Sequence, residues 1–222
     1  MLKVLTWFSR KPGMSLDDFR VYWREEHPKA VLRLPGLRAY NQNPTNDSGY
    51  ATGDPFCDGV AETWWDDIDA LRAHRGTEEI EALMVDEAQF IDPDRRQQLL
   101  VTEAVINDGQ PVDGALKQFT WFKRRPDLTP DEAQTYWREK HGPLAGSVPG
   151  MVRYVQNHVI ADQYRNDRQP PYDGVPITYF NDLDTARAAA RSPELAATRA
   201  DEANFVAAEP LPWIVATEIE IV

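Results

Sequence analysis

The chain has 222 residues and a formal net charge of −12, from 24 Lys and Arg against 36 Asp and Glu. Hydrophobic residues make up 42% of the chain, which is enough for a packed core and excludes the composition of disordered proteins. The acidic balance argues against nucleic acid and against an anionic membrane surface as partners, because binding to either depends on Lys and Arg neutralising phosphates.

The N-terminal residues form a predicted strand, Leu2–Phe8, without the basic, apolar and small-residue parts of a signal peptide. No run of about 18 apolar residues follows, so we expect no membrane-spanning segment. We therefore predict a cytoplasmic protein.

A helix is predicted to begin after Ser15, whose hydroxyl is a typical N-cap and is followed by acidic residues. Phe19, Trp23 and His27 repeat every four residues and so share one face of this helix, which Pro28 should end. The next predicted elements are two strands, two helices and a last strand, at residues 37–43, 60–65, 67–75, 78–90 and 99–106.

The sequence then repeats itself. Residues 2–43 align with residues 116–157 at a shift of 114, with identity at 18 of 42 positions, and later segments align at a shift of 115. The second copy therefore predicts a helix that begins after Thr129 and ends at Gly142-Pro143. It also predicts four strands, at residues 116–122, 151–158, 175–180 and 213–221, and a further helix at residues 182–205.

The β-α-β-β-α-β order of each copy is that of a ferredoxin-like unit. We predict an α+β fold with one repeat at residues 1–108, a turn-rich linker at 109–114 and a second repeat at 115–222. One such unit covers only one face of its sheet with helices. We therefore expect the two repeats to pack sheet to sheet as an intrachain pseudo-dimeric α+β barrel, so that the chain is a monomer with pseudo-two-fold symmetry or a homodimer.

Four segments carry a resemblance to a known family. YWREEHP at residues 22–28 and YWREKHGPL at residues 136–144 resemble the helix signature of the EthD-domain family, and LPGLRAYNQN and VPGMVRYVQN, at residues 34–43 and 148–157, resemble its second strand. The resemblance implies the dimeric α+β barrel superfamily, fused here in tandem. The relatives that it implies include isomerases, polyketide cyclases, decarboxylases and cofactor-independent monooxygenases.

The candidate catalytic residues combine two helix ends with strand positions. A histidine at a helix C-terminus can titrate near neutrality and act as an acid or a base, although it can equally cap the helix. A tyrosine on the second strand of each repeat can orient a carbonyl or enolate oxygen, and a carboxylate on an apolar strand is a plausible base unless it is exposed or paired. These candidates are His27, Tyr40, Glu62, His141 and Tyr154. We favour His27 with Tyr40, because the first repeat also supplies Glu62, and His141 with Tyr154 and His158 is the alternative set.

The candidate substrate-binding residues are aromatic and amide side chains near these positions. Gln42 and Gln156 share a strand face with the two tyrosines, and the tryptophans are either core residues or pocket walls. The set is Trp7, Gln42, Asn43, Trp64, Trp121, Gln156, Asn157 and His158.

No metal or cofactor motif is evident. The four histidines form no zinc-binding spacing, and the single cysteine, Cys57, excludes a disulfide framework and more often is an inert thiol than a reactive one. There is no phosphate-binding or dinucleotide-binding glycine motif. Haem stays formally open because distant barrel relatives bind it through one histidine, but we predict no cofactor and no metal.

These observations favour a cofactor-independent enzyme of the lyase or isomerase type, with a small hydrophobic organic substrate. It would use acid-base chemistry on a cyclic or polyketide-like molecule, by isomerisation, cyclisation, dehydration or decarboxylation. The alternatives are a cofactor-independent monooxygenase, which would consume O₂, and a non-catalytic metabolite-binding or scaffold protein. We also expect the halves to have diverged, because Ile177 stands in the second repeat where the first has Glu62.

Overall fold

The computed structural model describes all residues, 1–222. The strands, in chain order, are β1 (Leu2–Phe8), β2 (Ala39–Pro44), β3 (Gly59–Trp65), β4 (Gln97–Asp108), β5 (Leu116–Thr120), β6 (Met151–Val159), β7 (Gly174–Phe180), β8 (Trp213–Thr217) and β9 (Ile219–Glu220). The helices are α1 (Leu16–Glu25), α2 (Pro28–Val31), α3 (Ile68–Arg72), α4 (Glu78–Phe90), α5 (Pro130–Tyr136), α6 (Gly142–Gly146), α7 (Leu183–Ala189) and α8 (Pro193–Glu202). None of these helices combines the length and the apolar character that crossing a bilayer requires.

The chain divides into two compact units that differ from the predicted repeats at their ends. The first unit comprises residues 1–100 and 218–222, and the second comprises residues 101–217. In the first unit β3 lies antiparallel between β1 and β2, and the short strand β9 pairs with the outer edge of β2. In the second unit β7 lies antiparallel between β5 and β6, β8 pairs with β5, and the later part of β4 pairs with β6.

The helix starts follow the capping signals in the sequence. The Ser15 side chain accepts a hydrogen bond from the backbone N–H of Asp18, at 3.1 Å. Thr129 and Glu132 form a reciprocal capping box, in which each side chain accepts from the backbone N–H of the other residue. These local bonds satisfy N–H groups that have no partner within the helix, which is why both predicted helix starts are confirmed.

The predicted end, at Gly142-Pro143, of the helix that begins after Thr129 is wrong. Residues Trp137–His141 form one π-helical turn, in which the N–H of Gly142 bonds to the carbonyl of Trp137, and α6 follows directly. Pro143 cannot donate a hydrogen bond, and the wider turn lets the helical path continue past it. In the first repeat the N–H of His27 likewise reaches the carbonyl of Tyr22, at 3.1 Å, before α2 begins.

The continuous helix predicted at residues 182–205 is also wrong. The structure divides this segment into α7 and α8. The hydroxyl of Ser192 accepts a hydrogen bond from the N–H of Leu195, at 3.1 Å, and so caps the start of α8. Pro193 is the first residue of that helix. Two short helices, rather than one long helix, therefore follow β7 in the second unit.

The core of each unit lies between the sheet and the helices. In the first unit Phe8 packs edge to face against both Trp23 and Phe90, with its ring 4.9 Å from that of Trp23. A Cβ atom at Gly59 would collide with the Trp23 ring, so only glycine lets the helix approach the strand this closely. The second unit repeats this arrangement with Phe122, Trp137 and Phe205.

The long loops after β2 and β6 are tied back to their own sheets by a duplicated aspartate. Asp58 accepts hydrogen bonds from Arg10 and from the hydroxyl of Tyr50, both at 2.6 Å. Asp173 accepts in the same way from Arg124 and from Tyr164. These aspartates therefore act as structural anchors for the loops at both positions.

Candidate functional site

A cavity of about 540 Å³ lies in the second unit, between the helix-covered face of the sheet and helices α7 and α8. Its volume is within the usual range for small-molecule sites, about 300–1,000 Å³. The polar side chains on its wall are Gln118, Thr120, His141, Tyr154, Thr178, Thr198, Arg199 and Glu202. The rest of the wall is largely apolar and includes Trp137, Phe180 and Trp213.

Small side chains on α7 and α8 create this space. The cavity is lined by Ala186, Ala189 and Thr198, whose counterparts in the first repeat are Leu71, His74 and Leu83. His74 is buried and packs its ring 4.9 Å from that of Trp65, which is the counterpart of the cavity residue Phe180. Leu83 packs against the core cluster of the first unit. The first repeat therefore places bulk at positions where the second repeat leaves volume.

His141 reaches the cavity from the π-helical turn. Its Nδ1–H donates to Oδ2 of Asp201 at 2.9 Å, and the other carboxylate oxygen of Asp201 accepts from the hydroxyl of Tyr136 at 2.7 Å. Asp201 is thus held in position from α5, and it fixes both the orientation and the tautomer of the imidazole. The remaining ring nitrogen, Nε2, is the one available to a ligand.

Tyr154 reaches the cavity from β6 with its oxygen already used as an acceptor. The indole N–H of Trp137 and the side-chain amide of Gln156 both donate to this oxygen, each at 3.1 Å. Gln156 is itself fixed by donating to the carbonyl of Trp137, at 2.9 Å. A hydroxyl that accepts two hydrogen bonds retains its own proton for donation, so Tyr154 is arranged as a donor.

The first unit contains the same two sets of contacts. His27 Nδ1 lies 2.5 Å from Asp86, which also accepts from Tyr22 at 2.9 Å. The hydroxyl oxygen of Tyr40 accepts from Nε1 of Trp23 at 3.2 Å and from Nε2 of Gln42 at 2.9 Å. The rings of His27 and Tyr40 are 6.3 Å apart. His27 therefore lies near Tyr40, and His141 and Tyr154 line one cavity.

Burial sets the protonation of these groups. It lowers the pKa of His141, and the hydrogen bond to Asp201 offsets this only in part, so the imidazole stays neutral to lower pH than usual. Burial raises the pKa of Tyr154, and the negative charge of Glu202 raises it further against the effect of its two donors. A neutral histidine and a protonated tyrosine are therefore the forms present near neutral pH.

Glu62 lies on the opposite face of its sheet from His27 and Tyr40. It is buried and forms an ion pair with Lys3, and Asn43 donates to it at 3.0 Å. The structure therefore brings Glu62 together with a cation rather than with the histidine and the tyrosine.

The other predicted binding residues divide between the two sheet faces. Trp64 lies near Lys3, with 4.8 Å between the Nζ atom and the ring, and alternation along β1 puts Trp7 on that same face. Trp121 stacks on Phe119 and Asn157 donates to Val175, away from the cavity. Five predicted binding residues therefore lie outside the cavity, namely Trp7, Asn43, Trp64, Trp121 and Asn157.

His158 lies beside the cavity residues without lining the cavity. Its Nε2 bonds to the amide oxygen of Gln156 at 3.0 Å, and its ring packs 4.5 Å from that of Trp137. Burial, with a smaller effect from the charge of Arg138, lowers the pKa of His158 to about 4. His158 therefore fixes the position of Gln156, which donates a hydrogen bond to Tyr154.

Three acidic residues of the site were not predicted from the sequence. Asp86 and Asp201 orient the two histidines, and Glu202 lines the cavity. The signal was the duplicated Asp-Glu-Ala segment at residues 86–88 and 201–203, which matched between repeats without an assigned role. By contrast, Cys57 is buried and burial raises the pKa of its thiol, which describes an inert cysteine. No three His, Cys, Asp or Glu side chains are grouped as ligands for a metal ion.

Comparisons with known proteins agree with this fold. The sequence profile of the EthD domain matches residues 11–94 and again residues 125–209. Among solved structures, an anthrone oxidase-like protein superposes with a TM-score of 0.67 at 15% identity, covering 99% of this chain and 92% of its own. A candidate monooxygenase from Fusobacterium nucleatum subsp. nucleatum gives 0.61 at 8% identity, covering 98% and 91%.

A chlorite dismutase variant from Candidatus Nitrospira defluvii gives a TM-score of 0.55 at 11% identity, covering 98% of this chain and 90% of its own. No curated protein matches the sequence significantly. At these identities the structural likeness shows the fold alone. The predicted fold class, α+β with two ferredoxin-like repeats of the dimeric α+β barrel type, is confirmed.

Proposed function

The chain belongs to the EthD domain family, and we propose that it is a small-molecule enzyme that performs acid-base chemistry in the cavity of its second unit. One observation carries this proposal: His141, oriented by Asp201, and Tyr154, arranged as a hydrogen-bond donor, line the same cavity. A positioned base and a positioned donor are the two groups that removal of a proton beside a carbonyl requires.

His141 is the base. Its Nε2 takes a proton from a carbon next to the substrate carbonyl, while Asp201 stabilises the imidazolium that forms. Because burial lowers the pKa of His141, the neutral form that acts as a base is present at neutral and mildly acidic pH.

Tyr154 is the donor to the oxygen on which negative charge develops. Its proton points to a ligand oxygen because Trp137 and Gln156 already occupy its own oxygen. A fixed donor of this kind stabilises an enolate more than the ketone from which the enolate forms.

The wall of the cavity defines the class of substrate. Aromatic and aliphatic side chains make up much of the wall, and His141 and Tyr154 are among a smaller number of polar groups. This distribution suits a mostly apolar, cyclic molecule with one carbonyl or phenol group. Isomerisation, cyclisation, dehydration and decarboxylation all begin from the enolate or carbanion that this pair of residues would stabilise.

A cofactor-independent oxygenase is the second candidate. The same proton removal would produce a carbanion that reacts with O₂, and the fold likeness to an anthrone oxidase-like protein supports including this reaction in the test. The two candidates share the first step and differ in O₂ consumption.

The test measures proton exchange without assuming the natural substrate. Anthrone and 2-tetralone, two cyclic ketones with acidic C–H groups, are incubated in D₂O under nitrogen, and deuterium uptake is followed by mass spectrometry. We expect the wild type to accelerate exchange and His141→Gln to remove roughly 10²–10⁴-fold of that acceleration. His27→Gln, the matched change in the first repeat, should leave it nearly unchanged.

The same reagents distinguish the alternatives. Stoichiometric O₂ consumption in air, lost in His141→Gln, would favour the oxygenase. Saturable binding of either ketone with no acceleration of exchange and no O₂ consumption would contradict an enzyme of either kind and support a metabolite-binding protein. Undiminished exchange by a folded His141→Gln variant would remove this histidine from the base role.

A further inference from the structure

Glu87 and Glu202 occupy corresponding positions on α4 and α8, yet their surroundings differ. Glu87 forms an ion pair with Arg96, with 2.9 Å between Nε and Oε2 and a hydrogen bond of 3.0 Å from Nη2 to Oε1. The residue of the second repeat that corresponds to Arg96 is Leu211. The second repeat therefore lacks the guanidinium that neutralises this carboxylate in the first.

Glu202 and Leu211 both line the cavity that holds His141 and Tyr154. Replacing an arginine by leucine at this wall makes the cavity more apolar and leaves the carboxylate facing the ligand space. If this carboxylate were only structural, an ion pair like that of Glu87 with Arg96 would make the folded protein more stable. A partly buried charge without a close counter-ion costs free energy. The change suits a group whose proton is used.

We propose that Glu202 is a second catalytic acid-base group of the cavity, which transfers a proton at a substrate carbon other than the one that His141 deprotonates. This inference rests on the proposed function. It assigns to that function a proton shift between two carbons, as in the isomerisation of an unsaturated ketone.

The proton transfers balance in the following way. Nε2 of His141 takes the proton from the α carbon of a β,γ-unsaturated ketone, and the C–H electron pair becomes a dienolate whose oxygen accepts from Tyr154. The protonated form of Glu202 gives its proton to the γ carbon, which leaves the α,β-unsaturated ketone and a carboxylate. Transfer of the proton from His141 through water to Glu202 restores both groups.

The charged and titratable groups that face Glu202 are few. The charges of Arg199 and Asp201 on its own helix act on Glu202, and His141 from the π-helical turn and Tyr154 from β6 line the same cavity. Burial raises the pKa of Glu202, the charge of Arg199 opposes this, and that of Asp201 adds to it. The net increase in pKa brings the carboxyl group closer to the working range of a general acid.

The first measurement concerns the carboxyl group itself. Titration of ¹³C-labelled glutamate side chains by NMR, with Glu202→Gln used for assignment, should show the pKa of Glu202 raised above the ordinary value of a glutamate. Leu211→Arg should restore the ion pair of the first repeat and lower the pKa of Glu202. A pKa of Glu202 at the ordinary value of a glutamate, unaffected by Leu211→Arg, would overturn the proposal.

The second measurement separates the two proton transfers. The probe is 3-cyclohexen-1-one in D₂O, with deuterium at C2 reporting the step of His141 and deuterium at C4 of the conjugated product reporting the step of Glu202. We expect Glu202→Gln to keep exchange at C2 and to lower delivery to C4 by about 10²-fold or more. Leu211→Arg should lower delivery to C4 in the same selective way, and Glu87→Gln should change neither step.

The outcomes separate this proposal from the one on which it rests. Delivery to C4 at the wild-type rate in a folded Glu202→Gln variant overturns the role of Glu202 and leaves the proposed function intact. Equal loss at C2 and C4 in Glu202→Gln also overturns it, because that pattern describes general damage to the site. Absence of exchange at both carbons in the wild type contradicts the proposed function, and the role of Glu202 falls with it.

Discussion

At the scale of single residues, the histidine, the tyrosine and the side chains bonded to them are duplicated, whereas several residues one layer away are not. Each repeat holds a histidine on an aspartate and a tyrosine between an indole and an amide. Identity of these residues therefore does not distinguish a site from a copy of it. The differences lie in side chains one layer away, such as Leu211 in place of Arg96 and Ala189 in place of His74.

His158 has no equivalent in the first repeat, where Pro44 stands, and it should make stability depend on pH. Its pKa is about 4 in the folded chain and about 6.5 when unfolded. Between these values the unfolded chain binds a proton that the folded chain excludes, so the free energy of unfolding falls as the pH falls from about 6.5 to about 4. The loss is on the order of 3 kcal/mol.

His158→Gln should remove this contribution and flatten the dependence. Urea unfolding of both proteins at several pH values across that window measures it, with the difference between variant and wild type as the readout. A variant whose free energy of unfolding falls as steeply as that of the wild type would contradict a buried, neutral His158.

At the scale of secondary-structure elements, α7 and α8 decide where ligand space exists. Both units cover the same face of their sheets with helices, but the second carries alanine and threonine at positions that the first fills with leucine and histidine. The π-helical turn adds to this by carrying His141 to the cavity wall. Side-chain volume on two short helices, rather than strand topology, therefore distinguishes the units.

Ala189→His, which introduces the residue of the first repeat, should close the cavity. The added imidazole would occupy the space beside Phe180, as His74 does beside Trp65, and we expect anthrone binding to weaken by 10-fold or more. Overpacking could cost about 1–3 kcal/mol of stability. Calorimetric titration with anthrone measures binding, and Ala188→His, at an exposed position on the same helix, is the control. Equal binding by both variants would place the ligand elsewhere.

At the scale of the whole molecule, the compact units exchange their terminal segments relative to the sequence repeats. The first unit is completed by residues 218–222, and the second by the part of β4 that follows Leu100. Each of these segments pairs with the strand that carries the tyrosine, β2 or β6. The predicted boundaries at residues 108 and 115, and the choice between monomer and homodimer, stay predictions.

Deletion of residues 218–222 should destabilise the first unit. It removes the pairing of β9 with β2, including the bonds from Tyr40 N–H to Val222 at 2.8 Å and from Ile221 N–H to Tyr40 at 2.9 Å. At about 0.5–1.5 kcal/mol for each net hydrogen bond, the loss should be roughly 2–5 kcal/mol. Hydrogen exchange at the amides of β2 measures it. Glu220→Ala, which keeps the backbone, should protect these amides as the wild type does, and unchanged protection in the deletion would refute the role of β9.

The sequence by itself determined most of the elements, the duplication and the family. The bounds of β1 were predicted to the residue, because the residue pattern of a strand is a local property. The helix starts were predicted for the same reason, since capping is also local. The equivalence of His27 with His141 and of Tyr40 with Tyr154 followed from the alignment of the repeats, since identical residues at matched positions of a repeated fold occupy equivalent places.

Only the tertiary structure decided which of these residues face a ligand space. Alternation put Glu62 on one face of β3, but its pairing with Lys3 depends on a strand that lies about 60 residues earlier in the sequence. The cavity volume is likewise what remains after side chains from α7, α8, β6 and β7 have packed. Such a volume depends on many distant side chains at once, so no local pattern specifies it, whereas strands and helices are specified by their nearest neighbours.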